Sequence, residues 1–151
     1  MLNELTCMLF GMSCAAVIQD CPNLHVEDPW VREAPPGTEV LSAYMTLVND
    51  GEHELILTNV AAPQFANAEF HRMWFEGDRM RMEAQDTLVV PARGQLALEP
   101  GGYHLMLFKP DRRMRAGDTV PIRLQCGEGR SFIEAPVRKA SFIETESHSG
   151  R

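Results

Sequence analysis

The sequence predicts an all-β fold of the β-sandwich class. Three observations point there. Short runs rich in Val, Ile, Leu, Thr and aromatic residues recur along the chain, Gly, Pro, Asn and Asp interrupt them every few residues, and no stretch sustains a 3.6-residue apolar period. Taken in order, the runs begin with Trp30–Glu33, which stops before Pro-Pro-Gly at 35–37. Val40–Val48 follows and ends at Asn-Asp-Gly, residues 49–51, a strong turn signal. Glu54–Val60 is a short aliphatic strand. Ala68–Phe75 and Arg79–Glu83 flank Glu-Gly-Asp at 76–78 and read as a hairpin. Thr87–Val90 runs into PARG at 91–94, and Gln95–Leu98 into EPGG at 99–102. Tyr103–Phe108 comes next, then Thr119–Gln125 and Ser131–Val137 on either side of Gly-Glu-Gly at 127–129.

A chain of 151 residues suits one domain with a core of its own. The expected division is a leader over 1–28, the β domain over 29–140 and a polar tail over 141–151. Net charge is −7, from 21 acidic and 14 basic side chains, which argues against a nucleic-acid partner. No Ser/His/Asp set, Gly-rich phosphate loop or HExxH helix supports catalysis, so no enzyme is expected.

Of the four cysteines, Cys7, Cys14 and Cys21 lie near the start and only Cys126 lies in the body of the chain. No CxxC occurs, so thiolate zinc and thioredoxin-like chemistry are disfavoured. Cys126 reads as a small core residue, and no disulfide framework is expected. Leu5–Ile18 is apolar and about the length of a signal-peptide core, with small residues at 13–16. The MLNE before it has no basic residue, and no lipobox precedes Cys14 or Cys21.

The chemistry concentrates in four side chains, His71, Met82, His104 and Met106. Five of the nine methionines fall between residues 73 and 114. In Tyr103–Leu107, side chains alternate between faces, so Tyr103, Leu105 and Leu107 belong to the core while His104 and Met106 share the other face. In Arg79–Met82 the methionines share a face opposite two arginines, the face an ordinary amphipathic strand would bury, and the 76–78 turn would bring Met82, or Met80, close to His71. Two imidazoles and two thioethers suit a soft cation, and copper(I) above all. Thiolates oxidise outside the cytoplasm, whereas methionine forms no disulfide, so this donor set suits reversible copper(I) binding there. The lack of a cysteine ligand argues against a blue-copper electron carrier. His25 and His53 sit near turn signals and read as solvated, His148 lies in the tail, and Met114 reads as a loop anchor. The 111–115 stretch DRRMR reads as a solvated loop.

With these residues in place, the chain resembles the periplasmic copper(I) chaperones of the PCuAC type. Their signature is a His, ten residues, a Met, twenty-one residues and then His-x-Met. Ten residues separate His71 from Met82, twenty-one separate Met82 from His104, and Met106 completes the pattern. SAYMTLVN at 42–49, LEPGGYHLML at 98–107 and AGDTVPIRL at 116–124 resemble the family's flanking strands. The chain departs from the family at 108–115, FKPDRRMR, at Cys126, where an aromatic is usual, and in its non-basic leader.

The resemblance implies a cupredoxin-like Greek-key sandwich or barrel with a copper(I) site made of His71, Met82, His104 and Met106. It also implies a periplasmic monomer that delivers copper to the binuclear centre of cytochrome c oxidase, on subunit II, or works beside a thioredoxin-like copper assembly protein. Met73 and Met80 would be auxiliary sulfurs. Two rivals stand beside the chaperone: a copper buffer or resistance protein with the same site, and a β-sandwich that binds protein and no metal. Because ligating histidines must be neutral, binding is expected to weaken as pH falls through about 6.5.

Overall fold

In the computed structural model, residues 20–139 are described. They form eleven strands: β1 (Leu24–Arg32), β2 (Val40–Asn49), β3 (Leu55–Leu57), β4 (Asn59–Ala61), β5 (Phe65–Glu76), β6 (Arg79–Gln85), β7 (Leu88–Val90), β8 (Gly94–Leu98), β9 (Tyr103–Pro110), β10 (Thr119–Cys126) and β11 (Gly129–Arg138). Nine of them make one sheet in the order β4-β10-β11-β1-β2-β8-β9-β5-β6, with β2 also pairing β9, while β3 and β7 pair separately. The β1–β11 and β8–β9 pairings are parallel and the rest antiparallel. Strands adjacent in the sheet are often distant in sequence. This gives the Greek-key, cupredoxin-like architecture that the sequence led us to expect.

Alternation builds the core. In β2, Leu41, Ala43, Met45 and Leu47 point inward, as do Leu105 and Leu107 of β9 and Val120, Ile122 and Leu124 of β10. Met114 is buried and pins the 111–115 loop. Among the described residues the one fully buried side-chain amide, Asn49, is satisfied. It donates to the carbonyls of His53 (2.8 Å) and Val90 (3.2 Å) and accepts from the Gly51 N–H (2.9 Å). It thereby closes the Asn-Asp-Gly turn onto β7.

Four expectations need correction. First, β1 starts at Leu24, inside the stretch assigned to the leader. Leu24–Glu27 pairs regularly with β2, and a one-residue bulge at Asp28-Pro29 then re-aims Trp30. Second, the 54–60 run is two strands with different partners. β3 pairs β7 and β4 pairs β10, and the change occurs at Thr58, whose N–H donates to the Gln125 carbonyl (2.8 Å). Third, β6 buries neither of its methionines: Met80 and Met82 are 56% and 44% exposed, because β6 is the outermost strand.

Fourth, Cys126 is disulfide-bonded to Cys21, 105 residues earlier. The segment ahead of β1 crosses the β10–β11 turn to reach it. Gly129 makes room, since a Cβ there would meet Cys126 Sγ at 2.9 Å and the Asp20 carbonyl at 3.0 Å. Residues 1–19 of the leader expected over 1–28, and the whole 141–151 tail, lie outside the described residues.

Candidate metal centre

The site is built on three neighbouring strands, β9, β5 and β6. The registers place His71 directly opposite His104 on one side and Ala84 on the other. Directly opposed residues share a face. His71, His104 and their i±2 neighbours therefore line one surface, while Phe70, Leu105 and Leu107 fill the core behind it. The two imidazole centroids are 5.9 Å apart. Tyr44 packs against His104 (6.4 Å), Trp30 against Tyr44 (4.7 Å) and Phe108 against His71 (6.3 Å). Aromatic rings thus wall the pair on the side away from β6.

Hydrogen bonds fix both rings, in opposite senses. His104 Nδ1–H donates to the Gly102 carbonyl (3.1 Å), because a carbonyl can only accept, and this leaves Nε2 with a bare lone pair. His71 Nε2–H donates to Glu69 Oε2 (2.8 Å), which leaves Nδ1 with the lone pair. That Nδ1 is buried and has no hydrogen-bond partner among the described residues. An orphaned buried nitrogen costs on the order of 1–3 kcal/mol unless something binds it. Burial, chiefly, lowers the His104 pKa below its ordinary 6.5. The Gly102 hydrogen bond opposes this, and the nearby His71 adds to it. His104 is therefore neutral at pH 7, as a ligand must be.

The thioethers bracket this pair. Met106 lies one row to one side, directly opposite Glu69 and Ser42. Met82 lies one row to the other side, opposite Met73. At about 3.4 Å per residue, each methionine row is roughly 7 Å from the histidine row, within reach of a side chain with three rotatable bonds. Met80, opposite Phe75, is a further row away. The register thus separates the two β6 candidates and puts Met82 nearer. Among the described residues no three His, Cys, Asp or Glu side chains are grouped to hold a metal. The methionine sulfurs on the neighbouring rows are the further soft donors on this face.

Three contributors escaped the sequence reading. Glu69 is two residues before His71 on the same strand, so alternation alone would have put it on the same face. Gly102 acts through its backbone carbonyl and Tyr44 through a long-range pairing; neither left a local signal. The other two histidines among the described residues stand apart. His25 is exposed and paired with Asp50 (2.6 Å), and His53 contributes only a carbonyl to Asn49.

The model of a family described as putative lipoprotein LpqE-like matches residues 24–137, most of the chain. The chain belongs to the LpqE-like family. "Putative lipoprotein Lxx21020" of Leifsonia xyli subsp. xyli is 26% identical to it over 120 residues, covering 78% of this chain and 71% of that protein. The solution structure of CuI-DR1885 from Deinococcus radiodurans is 30% identical, with a TM-score of 0.64 over 85% of this chain and 86% of that one. The copper-bound PCuAC domain from PmoF2 superposes with a TM-score of 0.68 at 22% identity, over 79% of this chain and 95% of that domain, a likeness of fold alone. This LpqE-like chain therefore has the fold of PCuAC domains, as its motif spacing led us to expect.

Proposed function

We propose that this protein is a copper(I) metallochaperone, with His71, Met82, His104 and Met106 as its ligands. The observation that carries the reading is the pair of imidazoles locked in complementary tautomers, so that His71 Nδ1, buried and unpartnered, and His104 Nε2 both keep free lone pairs on one face. Two neutral nitrogens flanked by two neutral sulfurs match a soft monovalent ion and add no charge to it. The solved relative CuI-DR1885 and the copper-bound PCuAC domain support the same cargo. Glu69 holds the His71 ring as a carboxylate–histidine pair does in other metal sites.

Carriage outside the cytoplasm, in the periplasm or attached to the cell envelope, is supported by the lipoprotein description of the family and by the Cys21–Cys126 disulfide, a bond that persists in oxidising compartments. Among the described residues no helix is long and apolar enough to cross a membrane. The acceptor we favour is the binuclear copper centre of cytochrome c oxidase, reached directly or through a thioredoxin-like assembly protein. The role is that of a carrier, not a catalyst: weak neutral donors, one of them on an exposed edge strand, permit ligand exchange.

The test is an anaerobic copper(I) titration against a chromogenic chelator, with His104→Ala/Met106→Ala alongside. One equivalent should be held by the wild-type protein and lost from the variant while the fold is retained. Equal competition by both proteins would overturn the ligand assignment. Loss of oxidase activity at low copper on gene deletion would support the acceptor. Copper sensitivity with normal oxidase would point to a buffer instead.

A further inference from the structure

The β5–β6 hairpin carries more sulfur than the four-ligand site uses. Met73 and Met82 are directly opposed, and Met80 sits one row further out, opposite Phe75. By alternation all four side chains share the face of the histidine pair. Arg79, Arg81, Glu76 and Glu83 are on the opposite face, where Arg81 pairs with Glu76 (3.1 Å). The sulfur face of the hairpin is therefore uncharged.

It is also unusually open. Phe75 (64%), Met80 (56%) and Met82 (44%) make up half of the six large hydrophobic side chains that are exposed among the described residues. An amphipathic edge strand would ordinarily turn such residues inward. Here the core lies behind the other face, and Met80, opposite Phe75, is left mostly in solvent. Met73 is steadied from beneath: its N–H donates to the Gly102 carbonyl (2.9 Å), and its methyl lies against Gly101, where a Cβ would stand 3.9 Å away.

We infer that Met73, Met80 and Met82 form a second, sulfur-only site for a soft monovalent cation, outboard of the histidine pair. Directly opposed Cβ atoms lie about 5 Å apart and diagonal ones about 7 Å. Three flexible thioethers at those spacings can converge on one ion, and thioether sulfur selects copper(I) over the hard cations of the cell. The Phe75 ring beside Met80 offers its π-face to the same cation. Met82 belongs to both sites. An ion on the three sulfurs reaches the histidine pair by keeping Met82 and exchanging Met73 and Met80 for His71 Nδ1 and His104 Nε2. No bond to carbon breaks, no proton moves and the oxidation state is unchanged. The sulfur site stands on the hairpin geometry alone; its role as a way in and out rests on the proposed function.

The probe is silver(I), which has the same soft, monovalent chemistry and does not oxidise in air. In the wild-type full chain with labelled methionine methyls, silver(I) should shift the Met73 and Met80 methyl signals as well as those of Met82 and Met106. In His71→Ala/His104→Ala, silver(I) should still bind and shift Met73, Met80 and Met82 together. Adding Met73→Leu/Met80→Leu to that background should weaken binding at least tenfold. These two positions make no core contact that leucine would lose, so folding is not at stake in the wild-type background. A Met80 methyl that stays still in the wild-type protein, or silver binding by the histidine variant that the leucines leave unchanged, would overturn the inference. Failure of the histidine site would look different: the hairpin methyls would respond, with no response from Met106 or the imidazoles.

Discussion

Two groups of sulfur among the described residues lie towards opposite edges of the sheet. At the β10–β11 turn two thiols are locked in the Cys21–Cys126 bond, buried beside core residues. On β6 and its neighbours the sulfur is thioether, and it is largely exposed. The first is covalent, closes a loop of 105 residues and does nothing reversible. The second makes no covalent cross-link and can move. An oxidising setting makes this division workable: it turns paired thiols into structure and leaves methionine free to bind and release. Stability and exchange are thus assigned to different sulfurs, so they should fail separately.

Removing the disulfide with Cys21→Ser/Cys126→Ser should have the largest effect. We expect a loss of about 2–5 kcal/mol in chemical denaturation, while copper(I) affinity stays within a factor of two; a parallel loss of affinity would mean the two regions are coupled. Next, Glu69→Ala should lower copper(I) affinity by roughly 10–100-fold with little change in stability. Glu69→Gln, whose amide oxygen can still accept from His71 Nε2–H, should restore part of it. If both variants bind like the wild type, Glu69 does not position the ring.

The effect of pH should be smaller and of defined sign. His104 is held below its ordinary 6.5 in the fold, mainly by burial. The unfolded chain therefore takes up its proton first as pH falls. This residue's contribution favours the fold above about 6.5 and drains away as pH drops from there towards the lowered pKa. Copper bound through His104 should accordingly survive to lower pH than an ordinary imidazole would allow, a refinement of the sequence-level expectation of loss near 6.5. Proton NMR of the His104 ring should give a midpoint below 6.5, and a midpoint above 6.5 would contradict the burial. The smallest effect belongs to Met80→Leu, which should move stability by no more than about 0.5 kcal/mol in thermal unfolding, because Met80 is mostly in solvent. A larger loss would show that the hairpin sulfurs carry structure after all.

The candidate site was legible where chemistry and strand period coincide in a short window. His104 and Met106 are two residues apart, and a two-residue period fixes their common face. The β5–β6 hairpin was legible from Glu-Gly-Asp, and its register settled what the sequence left open by putting Met82 one row from His71 and Met80 two rows away. Most strands were legible too, since their ends coincide with Gly and Pro breaks. What escaped depends on contacts distant along the chain. The Cys21–Cys126 bond joins residues 105 apart, and nothing near either cysteine announces the other. The start of β1 was hidden because the alternation of Leu24–Glu27 lasts only four residues before Asp28-Pro29 interrupts it. The split at Thr58 was hidden because three consecutive aliphatics, Leu55–Leu57, mask the period, so the one-residue slip of the buried face from Leu57 to Val60 leaves no mark in the sequence.

The complementary locking of the two imidazoles has a practical consequence. One ring offers its δ nitrogen and the other its ε nitrogen, so the two positions are not interchangeable and each carries its own label. In a nitrogen-15 spectrum of the loaded protein, the resonance displaced by metal would be of δ type for His71 and of ε type for His104. Departure of an ion towards an acceptor could then be timed bond by bond, and the order in which the two labels return to their free positions would give the direction from which the acceptor approaches.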